Sequence, residues 1–418
     1  MKTIKTAVVL IIVMSTMALM FNACSDDSGP KELNIISMLV GDADLNAAVS
    51  PSNIPVDASI VITFNSAINP ATANSSTITL TQEYDGANVP LDISVDGATL
   101  TVTPQENMGT GILYQLDLRA GLLNTEDQPL AQTSRTFTTA GTFSPAGAIA
   151  HWTFEGTAED VAGNYNPAST GVVDITYEPG RNATAGTAAT FNGTTSIIEI
   201  PNGDQLINTE DFTLNFWVKT NSQGIDRGHF VIGLGAFYGL QYEIFGDYAG
   251  AKFAMRFMTA DGTSIAEDMW FPAEAKDAND EDGWQGWDYA RSLTREQMID
   301  LLKDRWLHVT LTFDGSAKKA SLYYNGEIMK SFDFNLWPDN SIQRTVTGMH
   351  YGGTAPEVVN ELAFGFIQSR AGTLWQNEPW GGYRFPDANH FKGQLDDIRI
   401  YHKVLTPTEI RLIYESER

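Results

Sequence analysis

The sequence predicts an all-β chain of two sandwich domains in tandem, and three observations predict it. Short runs that alternate apolar and polar residues recur from residue 35 to residue 139, with turn residues between them every ten or so positions. Similar runs return over 149–154, 188–191, 197–200, 213–218, 307–313, 320–324 and 395–401. One stretch alone, 295–303, is helical by period: Met298, Ile299, Leu301 and Leu302 fall on a helical repeat behind Thr294 and Gln297, which are spaced as a capping box.

Ahead of the first domain, two lysines in the first five residues precede an apolar run from Thr6 to Met20. This has the form of an export-signal core and is too short to span a bilayer. The run ends in Phe21-Asn22-Ala23-Cys24, which resembles the lipobox of bacterial lipoproteins. That resemblance implies that residues 1–23 are a signal peptide and that Cys24 becomes the acylated N-terminus, a membrane anchor made of lipid alone. Cys24 is also the single cysteine of 418 residues, so no disulfide forms within the chain.

Residues 24–34 read as a flexible tether. Its Ser25-Asp26-Asp27-Ser28-Gly29-Pro30 resembles the acidic signal that sends lipoproteins of polysaccharide-degrading Gram-negative bacteria to the outer membrane, facing the cell exterior. A formal charge of −25 excludes nucleic acid as a partner, because a phosphate backbone demands a basic footprint. With 43% hydrophobic residues the rest of the chain can fill two ordinary cores.

Within 35–140 the runs include Ile60-Val61-Ile62-Thr63-Phe64, Thr99-Leu100-Thr101-Val102 and Tyr114-Gln115-Leu116-Asp117-Leu118. Val49-Ser50-Pro51, Ile68-Asn69-Pro70 and the closing Arg135-Thr136-Phe137-Thr138-Thr139 make this segment similar to bacterial Ig-like domains. The resemblance implies a β-sandwich that acts as a spacer. Small residues over 141–147 form the linker to a second domain at 148–418.

The second domain carries Trp152-Thr153-Phe154-Glu155-Gly156, Ala189-Thr190-Phe191-Asn192-Gly193 and Phe212-Thr213-Leu214-Asn215-Phe216-Trp217-Val218-Lys219. Further on come Trp306-Leu307-His308-Val309-Thr310-Leu311-Thr312-Phe313-Asp314, Leu322-Tyr323-Tyr324-Asn325-Gly326 and a closing Gly393-Gln394-Leu395-Asp396-Asp397-Ile398-Arg399-Ile400-Tyr401. In order and spacing these blocks resemble the concanavalin A-like, laminin-G-like jelly roll, which implies two antiparallel sheets packed face to face. Large and polar residues alternate in the 212–218 and 309–313 runs, as one buried sheet face requires, and Asn325-Gly326 reads as a type I′ hairpin turn.

Catalytic signatures are missing from the sequence. The Glu-x-Asp-x-x-Glu strand of laminarinase-like relatives is absent, and Asp396 and Asp397, being adjacent on a strand, are expected on opposite faces. There is no Gly-x-Ser-x-Gly elbow, the six histidines are scattered with His151 and His308 read as structural, and Val231-Ile232-Gly233-Leu234-Gly235 reads as a strand turn. The jelly-roll resemblance implies a structural calcium ion near the paired terminal strands, with Glu155, Asp160 and Asp396 as its ligands. The acidic run 277–283 reads as a solvated loop.

What stands out is aromatic. One insertion into the family pattern carries Tyr238, Tyr242, Trp270, Trp284, Trp287 and Tyr289, and another carries Trp337, Trp375, Trp380 and Tyr383. Sugars present flat C–H faces that stack on rings, and hydroxyls that need carboxylate, amide or guanidinium partners, for which Arg370 and Arg384 are candidates. Tryptophans kept in polar, glycine-containing loops imply a partner, whereas Trp152, Trp217 and Trp306 fall in core blocks. The expectation is non-catalytic polysaccharide binding at the cell surface beside neighbouring glycan-uptake proteins. The alternatives are a hydrolase or lyase using Glu243, Asp247, Glu267 or Asp268, and an adhesin that binds another protein.

Overall fold

The computed structural model describes residues 31–272 and 287–418, so Cys24 and Trp284 lie outside the described residues. The chain divides into two units between Ala140 and Gly141. In the first, strands Ala43–Asp44, Ile35–Val40, Ile60–Phe64, Thr99–Pro104 and Leu91–Asp96 form one sheet in that order, and Ile78–Gln82, Leu113–Leu118 and Thr133–Thr138 form the other. Burial follows the two-residue period: Ile60, Ile62, Phe64, Leu100 and Val102 are buried from one sheet, and Ile78, Leu80, Leu116 and Phe137 from the other. Each such side chain contributes about 1.5–3 kcal/mol by leaving water.

The second unit is a jelly roll of two antiparallel sheets. Sheet A contains, in hydrogen-bonded order, Thr187–Asn192, Lys392–Tyr401, Phe212–Thr220, Trp306–Asp314, Lys319–Tyr324, Glu327–Asp333 and Trp287–Ala290. Sheet B contains Ile197–Ile200, Leu362–Phe364, His229–Leu234, Leu240–Ile244, Ala251–Thr259 and Ser264–Phe271. The first and last strands of the domain pair, Ile400 opposite Ala150 and Ile398 opposite Trp152. Between the sheets lies one apolar core, with Phe216 of sheet A 5.4 Å from Tyr242 of sheet B and Phe313 4.8 Å from Phe257.

Local signals set several boundaries. Asn325 (φ 51°) and Gly326 (φ 78°) both lie in the left-handed region, as a type I′ turn requires, and join two paired strands. Three helices stand among the described residues, where one was expected: α1 (Gly203–Ile207), α2 (Arg295–Leu302) and α3 (Pro407–Glu417). α2 starts at the capping box of Thr294 and Gln297. α3 starts the same way, with Thr406 bonded to Glu409 and Pro407 at the first helical position.

α3 also overturns the expectation that the 212–218 strand buries one face. Trp217 stacks on Tyr414 at 5.8 Å and its indole N–H donates to Glu417 at 2.8 Å, so both faces of Phe212–Thr220 are covered. Beneath the helix lies a buried charge network. Arg399 donates to Glu417 at 2.6 Å and to Asp397 at 3.1 Å, while Arg181 pairs with Asp396 and, at 2.6 Å, with Asp397. Asp396 and Asp397 thus reach one guanidinium, and the expected opposition fails because Asp397 takes a left-handed backbone (φ 46°) where the register with the neighbouring strand shifts.

Candidate functional site

The strands of sheet B bury Tyr242, Ile244, Phe253, Met255, Met269 and Phe271 in the core, so their alternate residues face outward. Register then sets two rows across three strands: Gln241 opposite Ala254 opposite Asp268, and Glu243 opposite Lys252 opposite Trp270. Cross-strand neighbours lie within about 5 Å, so these side chains form one continuous polar floor.

A second, smaller core covers part of that outward face. Phe366, Ile367, Leu374 and Ala388 pack on Phe230, Ala236 and Val358, with Tyr383 and Trp375 against them. The segment is pinned to the sheet where Arg227 donates to the Ala388 carbonyl at 2.6 Å and the Phe230 amide to Asn389 at 2.8 Å, and it is braced internally by the Gln368 amide, which donates to the Leu374 carbonyl at 2.6 Å. Gly233 lies so close to the Ile367 carbonyl that any side chain there would collide with it. His390 stacks on Phe366 at 4.5 Å, and burial pulls its imidazole down to about 4.

Where the segment ends, a cleft of about 370 Å³ remains, lined by Phe230, Phe237, Trp375 and Trp380 on the wall and by Gln241, Glu243, Lys252, Ala254 and Asp268 on the floor. Trp375 and Trp380 are 4.8 Å apart, Phe237 is 6.1 Å from Trp375, and Phe230 is 6.3 Å from Trp380. Trp380 keeps 42% of its surface exposed and Phe237 36%. Trp375 holds a left-handed backbone (φ 55°), a conformation costly for a bulky residue and one that gathers where side chains are aimed for a purpose.

On the floor, the Lys252 ammonium lies 3.2 Å from Asp268 and 3.8 Å from Glu243, and 5.0 Å above the Trp270 ring. Gln241 donates its amide to the other Glu243 oxygen. Burial raises the Glu243 carboxyl above its ordinary range, against the pull of Lys252. A second groove, of about 570 Å³, is lined by Glu178, Thr190, Lys219 and Gln394 on sheet A and has one aromatic side chain, Phe191, among its lining.

Of the residues singled out by sequence, Trp375 and Trp380 meet at the cleft, and Trp270 adjoins its floor through the Lys252 ammonium above its ring. The others do not. Tyr289 is exposed on the edge strand of sheet A, Trp337 packs half-buried against the main core, and Tyr383 stands behind the wall, donating its hydroxyl to Thr195. Trp287 opens the edge strand of sheet A by its backbone, and its side chain, like Trp284, lies outside the described residues. Tyr242 is buried and hydrogen-bonded to Tyr324 at 3.0 Å. Arg370 is taken by Glu199 at 2.6 Å, and Arg384 lies over Phe385 and donates to Asn377.

Sequence reasoning missed Phe237, Gln241, Lys252, Ala254 and Asn389. Of the carboxylates considered for catalysis, Glu243 and Asp268 share the floor with Lys252 between them. Asp247 pairs with Arg295, and Glu267 accepts from Gln343, its carboxyl pushed up to about 7 by burial.

The calcium set does not fit its residues. Asp160 accepts amide hydrogens from His151, Ala162, Asn164 and Tyr165 at 2.8–3.0 Å, which uses both oxygens to fold its own loop. Asp396 is paired with Arg181, and exposed Glu155 caps the Thr187 amide. Among the described residues no group of three His, Cys, Asp or Glu side chains is placed to hold a metal ion.

Comparison with known proteins accords with this architecture. The profile of the bacterial Ig-like domain matches residues 44–139, and that of the concanavalin A-like lectin/glucanases superfamily matches residues 192–357. No curated protein matches the chain. Among solved structures it is similar to the receptor-binding domain of botulinum neurotoxin type G, with 16% identity over 65% of this chain and 51% of that one and a TM-score of 0.37. It is similar to the binding domain of Paraclostridial Mosquitocidal Protein 1, with 17% identity over 65% and 52% and a TM-score of 0.41. It is also similar to domain 4 of AbnA, an extracellular arabinanase from Geobacillus stearothermophilus solved with arabinotriose, with 18% identity over 64% and 98% and a TM-score of 0.36. The chain spans about half the length of the first two of these structures. With both profiles matching in order along the sequence, the chain joins a bacterial Ig-like domain to a concanavalin A-like domain.

Proposed function

We propose that the cleft on the outward face of sheet B binds a glycan without cleaving it. The observation that carries this reading is the meeting of a half-exposed aromatic wall, Phe237, Trp375 and Trp380, with a floor of Gln241, Glu243, Lys252 and Asp268 and the Asn389 amide at its rim. Apolar ring faces beside a few convergent polar groups suit a ligand that is flat and C–H-rich on one side and hydroxylated at its edge. Glu243 and Asp268 share the ammonium of Lys252, which favours a binding surface over an acid and nucleophile acting separately.

In the same proposal, acylated Cys24 anchors the chain in the outer membrane with the binding domain toward the exterior. The Ig-like domain serves as spacer, and the captured polysaccharide passes to neighbouring glycan-uptake proteins. Affinity gel electrophoresis of the protein against a panel of polysaccharides tests the binding. Retardation by at least one, lost on Trp375→Ala, is the expected result, and release of reducing ends from a retarding polysaccharide would instead favour the hydrolase. For the anchor, Cys24→Ala is expected to abolish incorporation of labelled palmitate in a bacterial host, and undiminished labelling would rule it out.

A further inference from the structure

The charges of the floor say which glycans the cleft takes. Among the described residues that line it, Lys252 is the one cation, and it is shared between two carboxylates at 3.2 and 3.8 Å. Its ammonium also lies over the Trp270 ring, so its field is spent within the floor before any ligand arrives. Asp268 keeps 38% of its side chain exposed and Glu243 17%, leaving lone pairs directed into the cleft as acceptors for hydroxyl hydrogens. On the same face the Arg256 guanidinium is stacked on Tyr238 and donates to the Phe237 carbonyl and to Ser264.

From this arrangement we infer that the cleft selects uncharged, hydroxyl-rich glycans and rejects chains bearing carboxylate or sulfate groups, with Glu243 and Asp268 as the residues that set this specificity. The inference rests on the glycan-binding reading above and narrows it. A ligand carboxylate placed on the floor would meet two protein carboxylates and an ammonium already neutralised, and like charges set side by side in a partly buried site repel strongly. A neutral sugar instead donates its hydroxyls to those carboxylates and accepts from Lys252 and Asn389, and such charge-assisted hydrogen bonds are the stronger kind.

The test compares the full-length protein against neutral probes (laminarin, xylan, arabinan and galactomannan) and acidic ones (polygalacturonate, alginate and chondroitin sulfate) at low salt. The expected result is binding to one or more neutral polymers at least about tenfold tighter than to every acidic one, a difference of about 1.4 kcal/mol. The paired variant Glu243→Gln with Asp268→Asn frees Lys252. It is expected to lose affinity for the neutral polymer and to gain about tenfold for polygalacturonate, a gain that fades at high salt. Acidic polymers bound as tightly as neutral ones by the unmodified protein would overturn the inference while leaving glycan binding intact. Silence from all seven would overturn glycan binding itself.

Discussion

Trp380→Ala separates the cleft from every other aromatic feature of the molecule. The ring keeps 42% of its surface exposed and is backed by Trp375 at 4.8 Å and Phe230 at 6.3 Å, so it offers a fixed face at little cost in side-chain entropy. Stacking of a flat ligand on such a face contributes about 1–2 kcal/mol. Its loss should therefore raise Kd by about 5- to 30-fold. Because the ring is not buried in the main core, folding should lose no more than about 1–2 kcal/mol. Isothermal titration with a polysaccharide that retards the protein, beside a thermal melt, measures both quantities. Tyr289 provides the matched control, since it is also 42% exposed but lies on the edge strand of sheet A. Tyr289→Ala should leave binding unchanged. Equal weakening by both substitutions, or none by Trp380→Ala in a folded protein, would refute the placement of the site.

Other outcomes follow from the framework around the cleft. Gly233→Ala forces a methyl group against the Ile367 carbonyl and lifts the segment that carries the wall, so binding should fall while the melt shows a loss of about 1–3 kcal/mol. Arg399→Met strands Glu417 and Asp397 beneath α3 and should cost about 3–5 kcal/mol in denaturant unfolding, partly recovered by adding Glu417→Leu. Burial holds His308 at about 3 and His229 and His390 at about 4, below the 6.5 of an unfolded chain, so the unfolded state binds more protons between those values. Their contribution is complete above pH 6.5 and is lost as the pH falls toward 4. Asp396, Glu267 and Glu243 act in the opposite sense, since burial raises their carboxyls and their contribution falls as pH rises above the ordinary carboxylate range. Urea unfolding across pH 4–7 of the protein and of variants with His308, His229 or His390 replaced by Gln isolates the imidazoles, and a pH slope unchanged by every replacement would contradict their burial.

The legible parts of this fold are those written in local chemistry. Thr294 with Gln297 starts α2, and Asn325-Gly326 turns a hairpin, because a cap or a left-handed turn depends on a few adjacent residues. Burial of both faces of Phe212–Thr220 was not legible, since it depends on α3 arriving from nearly two hundred residues away in sequence. The bonding of Asp160 within its own loop was hidden for a related reason. Family resemblance marks Asp160 as an acidic position, but three of its amide donors come from the turn it closes and the fourth from His151 in the opening strand, and that use of the carboxylate is visible only once the turn is built.

The same distinction divides the candidate site. Trp375 and Trp380 announced themselves as large apolar residues in a polar loop, yet so did Tyr289 and Trp337, which the fold sends elsewhere. Nothing in the sequence marks Gln241, Glu243, Lys252 and Asp268 as a set, because polar residues alternating along a strand are the ordinary signature of a solvated face. They become a floor through antiparallel register, which aligns them across three strands. They become a cleft through the small core of Phe366, Ile367, Leu374 and Ala388, which fastens a wall to one side of them. That second core adds nothing to the contact between the two sheets. Its apolar residues hold an aromatic wall on a face that a jelly roll can leave bare, and the wall ends beside the three charged side chains. An insertion kept only for stability would bury its rings, whereas this one leaves Trp380 open, with Phe237 of the sheet B turn, above Lys252, Glu243 and Asp268.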